Sequence, residues 1–115
     1  MGTTFEKFRS SRNYIRCTTK TVTTRNLFLW AEQQECFWLL HLYASHLYDI
    51  DGNREPFTVL KMTVNESRAT IKIEDGNGNV LSKQVVEYTD FRHSEAQLYG
   101  CWQSPYWVLM LPNDY

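Results

Sequence analysis

Residues 58–80 have the sequence TVLKMTVNESRATIKIEDGNGNV, in which apolar and polar residues largely alternate. Alternation with a period of two predicts β-strands that bury one face and leave the other in water. Residues 58–64 and 68–74 form the first two predicted strands, and a third runs from residue 80 to about residue 88. Asn77-Gly78 is a strong hairpin signal, because both residues tolerate positive φ angles. The segment therefore predicts three consecutive strands of an antiparallel meander.

The segment before these strands predicts the main helix. Between residues 35 and 48, apolar side chains recur at helical spacing on almost every side. Such a helix is expected to rest one side on the sheet and to have another side covered by a second element. A short helical turn at residues 27–31, with Asn26 as its N-cap, precedes it. Residues 14–24 consist largely of β-branched residues, with five Thr, one Val and one Ile, and predict an edge strand.

The two ends of the chain complete the predicted fold. Residues 1–12 are interpreted as a loosely packed N-terminal arm or a short helix. Residues 89–98 predict a helical turn, and residues 106–111 predict a final strand that is buried on both faces. A length of 115 residues fits one domain. We therefore predict a single α+β domain over residues 1–115, with an antiparallel sheet of about four to five strands and helices packed on one face.

The composition argues against several classes of protein. Hydrophobic residues make up 43% of the chain and charged residues 22%, as in ordinary globular domains. The sequence has no apolar run of about 18 residues, so no transmembrane helix is expected, and its N-terminus does not resemble a secretory signal. Three widely spaced cysteines, Cys17, Cys36 and Cys101, indicate reduced thiols. We expect a cytoplasmic protein, in the cytoplasm of the host cell if a phage encodes it, and no membrane partner.

The charges are distributed unevenly around a net charge of −1. Residues 1–25 carry six basic residues and one acidic residue, a net charge of +5, whereas the rest of the chain carries six basic and twelve acidic residues, a net charge of −6. The N-terminal cations are either a solvated edge that faces the acidic remainder of the protein or a basic surface for a partner. The cations that we single out for partner binding are Arg9, Arg12, Arg16 and Lys20.

The sequence contains no complete motif for metal binding or catalysis. Two acidic turns, beginning at Asp49 and Asp75, have part of the spacing of a calcium loop but lack its glycine and its final glutamate. His41 and His46 lie about 140° apart around the predicted helix and cannot share a metal ion. Nucleophile elbows, phosphate loops and dinucleotide fingerprints are missing from the sequence. We predict no catalytic residue, metal or cofactor; the alternative is a small enzyme with a composite site around Glu35, His41 or His46.

Aromatic residues are unusually frequent, at 15% of the chain, and several cluster around Gly100 and Pro105. A segment of this kind either fills the end of the sheet or presents anchors to a partner, because Trp and Tyr dominate interface hot spots. Stacking on nucleic-acid bases normally requires nearby cations, and no Lys or Arg follows Arg92. The aromatic residues that we single out for partner binding are Tyr99, Trp102, Tyr106 and Trp107.

Three motifs carry a resemblance to a known family. They are Tyr88-Thr89-Asp90-Phe91, the C-terminal Leu111-Pro112-Asn113-Asp114-Tyr115, and Phe37-Trp38-Leu39-Leu40 on the main helix. They resemble a family of small uncharacterised proteins from bacteria, plasmids and phages, classified as a domain of unknown function, and the resemblance covers residues 13–115. It implies a shared fold and an origin in mobile elements, and it supplies no catalytic residues. The chain departs from the family pattern at residues 23–26, where the family has a Thr-Asp-Gly turn, and in a lengthened aromatic segment at residues 100–106.

These observations lead to one expected function and two alternatives. We expect a non-enzymatic protein-binding module of a phage or another mobile element. The specific form that we expect is an anti-CRISPR-type inhibitor that blocks a host defence complex. Its partner would be a host protein or a protein–nucleic-acid complex. The alternatives are a nucleic-acid-binding accessory protein that uses the basic N-terminal segment, and the small enzyme described above. Self-association into a homodimer is a further option, since an edge strand or aromatic surface can pair across a two-fold axis.

Overall fold

The computed structural model of the protein describes residues 14–115. In that range the chain forms one seven-stranded sheet, two α-helices and a short C-terminal 3-10 helix. The predicted arm or short helix within residues 1–12 lies outside the described residues. The elements are, in chain order, β1 (Tyr14–Arg16), β2 (Thr21–Thr24), α1 (Arg25–Gln33), α2 (Phe37–Leu47), β3 (Phe57–Asn65), β4 (Arg68–Asp75), β5 (Val80–Val86), β6 (Glu95–Gln103), β7 (Tyr106–Met110) and the 3-10 helix (Pro112–Asp114).

The sheet is larger than the sequence predicts, and it is mixed. Its strand order is β1-β2-β7-β6-β3-β4-β5. All neighbouring strands are antiparallel except β2 and β7, which run parallel with Val22 opposite Val108. One sheet with two helices agrees with the predicted α+β class. The prediction of an antiparallel sheet with four to five strands is therefore wrong in two respects. The sheet has seven strands, and β2 pairs with β7 in parallel.

The sequence-based prediction lacks two of the seven strands, and both lie in segments whose residue patterns are ambiguous. The predicted edge strand over residues 14–24 is a hairpin of β1 and β2, closed where the Cys17 amide donates to the Thr21 carbonyl at 2.8 Å. No glycine, proline or asparagine marks that turn. The predicted helical turn over residues 89–98 is also wrong, because residues 95–103 form β6. This strand lies between β3 and β7. Its alternation of polar and apolar residues covers only residues 95–98 and is interrupted by Tyr99, Gly100 and Cys101.

Both helices pack against one face of the sheet. Helix α2 buries Leu40, Tyr43 and Leu47 in the main core, as its apolar pattern predicts. Helix α1 covers part of α2, and the rings of Phe28 and Phe37 lie 5.1 Å apart between their centroids. The strands supply the other side of this core with Leu60, Met62, Ala69, Ile71, Ile73, Leu98, Trp107 and Leu109.

The first helix begins at Arg25, two residues earlier than the predicted N-cap Asn26 implies. Thr24 is the N-cap of α1, and its hydroxyl accepts a hydrogen bond from the Leu27 amide at 3.2 Å. Asn26, the predicted cap, instead donates its side-chain amide to Asp114 at 2.8 Å. Both residue types cap helices well, so the local sequence does not choose between them. The choice depends on Asp114, which is 88 residues away along the chain.

The opposite face of the sheet, here called the open face, carries a smaller cluster. Its buried members are Val22, Val108 and Met110, and partly buried Tyr14, Tyr99, Cys101 and Tyr106 pack against them. Within residues 14–115, neither α-helix contributes a residue to this cluster. Among the described residues, the open face is therefore the side of the sheet that α1 and α2 leave uncovered.

Candidate functional site

The aromatic segment predicted as a partner-binding loop is the β6–β7 hairpin. Trp102 pairs with Trp107 and Gln103 pairs with Tyr106, next to the turn at Ser104-Pro105. Because successive side chains of a strand point to opposite faces, the hairpin divides its aromatic residues between the two sides of the sheet. Two face the helices and two lie on the open face.

The two tryptophans lie on the helix side. Trp107 is only 3% exposed and belongs to the main core, and the ring of half-buried Trp102 lies 5.3 Å from it. Trp102 also donates its indole N–H to Asn53 at 3.3 Å, and it fills the space where a side chain at Gly52 would have to be. These contacts hold the α2–β3 connection against the sheet. The tryptophans therefore stabilise one end of the fold.

The tyrosines of the hairpin belong to the open face. Tyr106 lies under the guanidinium of Arg16, whose Cζ is 5.4 Å from the ring centroid. Tyr99 makes an edge contact with Phe57, with centroids 5.0 Å apart. The C-terminal Tyr115 contacts both of these rings, at 5.2 Å from Phe57 and 5.7 Å from Tyr99. We call Phe57, Tyr99 and Tyr115 the aromatic patch.

The aromatic patch is exposed in part and borders a groove. Tyr115 is 77% exposed, while Phe57 and Tyr99 are half-buried. A groove of about 500 Å³ runs beside the patch, and its described lining includes Tyr14 and Asp114. Exposed rings that are already held by ring contacts lose little side-chain freedom when a partner covers them, which favours binding. The arrangement is suited to receiving a protruding apolar or aromatic side chain.

The sequence singled out only one of the three patch residues. Phe57 begins β3, and Tyr115 follows the 3-10 helix at the C-terminus. The β3–β6 pairing sets Phe57 opposite Cys101, and the turn after β7 returns Tyr115 over both strands. Residues so far apart in sequence meet only through the sheet topology. No local signal in the sequence identifies Phe57 or Tyr115 as members of a common surface.

The basic residues singled out from the sequence do not form one surface in the described part of the chain. Arg9 and Arg12 lie outside the described residues. Arg16 lies on the open face, as described above. Lys20 is exposed, and its ammonium lies 5.6 Å from the ring centroid of Tyr48, near the C-terminal end of α2. The structure thus separates Arg16 from Lys20 across the edge of the sheet.

The titratable groups of the enzyme alternative lie apart from one another. Glu35 pairs with Arg92 at 3.4 Å, and the His41 ring contacts the Phe37 carbonyl of its own helix at 3.2 Å. His46 bonds instead to two side chains of β5, Ser82 and Gln84. In a neutral ring, Nε2 donates to the Gln84 carbonyl oxygen and Nδ1 accepts from the Ser82 hydroxyl. This histidine links α2 to the edge strand β5 through two side-chain hydrogen bonds, and no local pattern in the sequence indicates this contact.

The thiols are held in their protonated form. Burial raises the pKa of Cys36 and of Cys101 to about 11, and burial also raises the pKa of Cys17. A thiol with a raised pKa is a weak nucleophile and a weak metal ligand at neutral pH. All three cysteines are free, and no group of three or more metal-ligating residues occurs among residues 14–115. Their surroundings are those of packing residues.

The two acidic turns hold their carboxylates in local hydrogen bonds. Asp75 accepts from the backbone amides of Asn77 and Asn79 at 2.8 and 2.9 Å, and from the Asn79 side chain at 2.9 Å. These bonds lower the pKa of Asp75, with the Asn79 side chain contributing most. Asp51 accepts from the Asn53 amide at 3.0 Å in the same manner. Both carboxylates therefore stabilise turns.

Comparisons with known proteins give a single match. A model described as a family of unknown function, DUF6876, matches residues 1–115. No curated protein and no solved structure matches the chain. Within residues 14–115, neither helix is long and apolar enough to cross a membrane.

Proposed function

The chain belongs to the DUF6876 family, whose function is unknown, and we propose that it is a non-enzymatic binding protein that docks onto another protein through its open face. The aromatic patch is the anchor of this contact, and the adjoining groove receives a side chain of the partner. The observation that carries the proposal is the cluster of Phe57, Tyr99 and Tyr115 on the sheet face that neither helix of residues 14–115 covers.

Burial and ring geometry support this use of the patch. Tyr115 is among the most exposed large side chains of the described residues, yet its ring is held by two others. Aromatic residues at the centre of an interface commonly supply most of its binding energy, because they bury a large area at a low entropic cost. A groove of about 500 Å³ beside them offers the concave surface that a single anchoring residue requires.

The proposed biological setting is a phage or another mobile element. The family motifs named in the sequence analysis support this origin. A protein of this kind would act by covering a surface of a host protein, and an inhibitor of an anti-CRISPR type that blocks a defence complex is the form we propose.

The experiment compares matched tyrosine variants in a capture assay. Tyr99→Ser/Tyr115→Ser removes two rings of the aromatic patch. Tyr48→Ser/Tyr88→Ser removes two rings outside it, and both of these control residues are 73% exposed. Each tagged protein is incubated with an extract of a bacterial host at low salt, and recovered proteins are purified and titrated against the same variants.

The expected result is a stoichiometric partner that binds the original protein and the control variant equally. The patch variant should bind it at least about tenfold more weakly, since hot-spot truncations cost roughly 2 kcal/mol or more. Recovery of no stoichiometric protein, or equal affinity of the two variants for the recovered protein, would refute the proposal.

A further inference from the structure

Three lysines form a row across the open face. In the β3–β4 pairing Lys61 is opposite Lys72, and in the β4–β5 pairing Lys72 is opposite Lys83. Directly paired residues on antiparallel strands have Cβ atoms about 5 Å apart on the same face. All three lysines are exposed. We call Lys61, Lys72 and Lys83 the lysine row.

The row is only partly neutralised by the protein. Glu74 forms an ion pair with Lys61 at 3.0 Å. Lys72 and Lys83 have no ion pair with any described residue. Like charges that face each other directly across a pair of strands destabilise a sheet. The row therefore places three positive charges side by side, although residues 26–115 as a whole carry a net negative charge.

The row and the aromatic patch are neighbours. Lys61 and Val59 are successive open-face residues of β3, and Val59 pairs with Tyr99 of the patch. Tyr99 in turn contacts Phe57 and Tyr115. The open face thus offers cations on β3, β4 and β5 and aromatic rings on its β6 side, a combination that sequence inspection missed because Lys61, Lys72 and Lys83 lie on separate strands.

We propose that the lysine row binds the phosphate backbone of a single-stranded nucleic acid, whose bases then reach the aromatic patch. Ammonium groups attract phosphates, and aromatic rings stack on bases irrespective of their identity. Only a single strand presents its bases to a flat sheet face, since a duplex keeps them stacked inside. An acidic peptide would satisfy the row, but it reaches the patch only where an aromatic residue follows at the right distance, whereas every nucleotide couples a phosphate to a base. This inference goes beyond the proposed protein contact and adds a second ligand to the same face.

The test is fluorescence anisotropy with a labelled oligothymidylate strand and the full chain at low salt. Lys61→Gln/Lys72→Gln/Lys83→Gln removes the row. Arg25→Gln/Arg54→Gln/Arg92→Gln removes the same charge at exposed positions outside the row and is the matched control. Both variants retain the cations of residues 1–12. Lys72→Arg keeps the charge and is expected to bind like the original protein.

The original protein and the control should bind, and the row variant should bind about tenfold or more weakly. The row variant should also show a weaker dependence on salt. Its slope of log affinity against log salt concentration should be shallower by about 2, because three phosphate contacts are lost and each contributes about 0.7 with a single strand. The urea unfolding midpoint of the row variant should change little, because the relief of repulsion between paired lysines offsets the loss of the Lys61–Glu74 ion pair. If the row variant binds weakly because it has unfolded, its unfolding midpoint will be much lower than that of the original protein. The double variant Lys72→Gln/Lys83→Gln, which keeps the Lys61–Glu74 ion pair, is then measured in its place.

Three results would overturn the inference. The first is the absence of any oligothymidylate binding by the original protein at low salt. The second is equal binding by the row variant and the control, which would assign binding to other cations. The third is displacement of the strand by polyglutamate as effectively as by unlabelled oligothymidylate, which would indicate an acidic protein as the ligand.

Discussion

At the scale of single residues, a buried hydrogen-bond chain fixes the centre of the sheet to helix α2. The Tyr43 hydroxyl donates to the Thr58 hydroxyl at 2.7 Å, and Thr58 donates to the Gly100 carbonyl at 3.0 Å. Tyr43 and Thr58 are fully buried, so each polar atom needs its partner. A side chain at position 100 would bring its Cβ within 2.7 Å of the Tyr43 oxygen. Glycine is required there by the close approach of the tyrosine.

The first prediction concerns this glycine. Gly100→Ala should destabilise the protein by about 1–3 kcal/mol, because the methyl group overpacks a buried site and displaces the Tyr43 hydroxyl. Urea unfolding followed by circular dichroism measures the change. Gly76→Ala is the control, since its Cβ would meet only the edge of the Phe57 ring at 3.3 Å. A loss at position 100 no larger than at position 76 would contradict this description of the core.

The second prediction concerns the titration of Tyr43. Burial raises the pKa of its phenol far above the usual value. Between the unfolded and folded pKa values, the folded state binds more protons than the unfolded state. Stability should therefore fall as the pH rises above about 10, the pKa of an unfolded tyrosine.

A comparison of two proteins isolates the contribution of Tyr43. Tyr43→Phe should lower stability at neutral pH by about 1 kcal/mol, because a buried hydrogen bond is lost. It should also show a shallower decline in unfolding free energy above pH 10 than the original protein. Parallel declines in the two proteins would mean that the phenol ionises as readily in the folded state as in the unfolded state.

At the scale of elements, the C-terminal 3-10 helix is tied to the beginning of α1. Asp114 accepts from the Thr24 hydroxyl and the Asn26 side chain, each at 2.8 Å, and from the Leu111 amide at 3.1 Å. Its negative charge also lies near the N-terminus of α1, where the helix dipole favours an anion. Thr24 therefore serves both as the N-cap of α1 and as a donor to the C-terminal segment that carries Tyr115.

The third prediction tests this tie with a double-mutant cycle. Thr24→Ala should cost about 1 kcal/mol through the loss of the N-cap, and Asp114→Ala should cost about 1–2 kcal/mol through the loss of its hydrogen bonds. The double variant should lose less than the two losses combined, by about 0.5 kcal/mol or more, because the residues are in contact. Asn113→Ala, at an exposed neighbouring position, is the control. Additive losses would show that the two residues act independently.

The elements differ in how well the sequence predicts them, for a physical reason. Strands β3 and β4 have polar side chains on the open face and apolar ones toward the helices, so their alternation is visible and residues 58–64 and 68–74 were found. Strand β6 alternates clearly only over residues 95–98, before Tyr99, Gly100 and Cys101, and such a short pattern does not distinguish it from a helical turn. The β1–β2 hairpin was missed because no turn residue separates its strands.

At the scale of the whole molecule, the two faces of the sheet differ in what covers them. One face is covered by α1 and α2 and contains the main core, including Trp107. The other carries the aromatic patch and the lysine row. The sequence indicated an excess of aromatic residues and identified Tyr99, but it did not reveal which of them share a face. Pairing of β3 with β6 and the return of the C-terminus create the candidate site, and these are long-range contacts.

The fourth prediction is the measurement that tests the docking surface most directly, site-specific photo-crosslinking in the host extract. A photoreactive phenylalanine analogue replaces Tyr115, Tyr99, Tyr48 or Tyr88, one at a time, in otherwise unchanged protein. The account predicts that positions 115 and 99 crosslink to the same host protein, while positions 48 and 88, which lie outside the aromatic patch, do not. Crosslinks from positions 48 and 88 to a stoichiometric partner, with none from positions 99 and 115, would place the contact elsewhere and contradict the account.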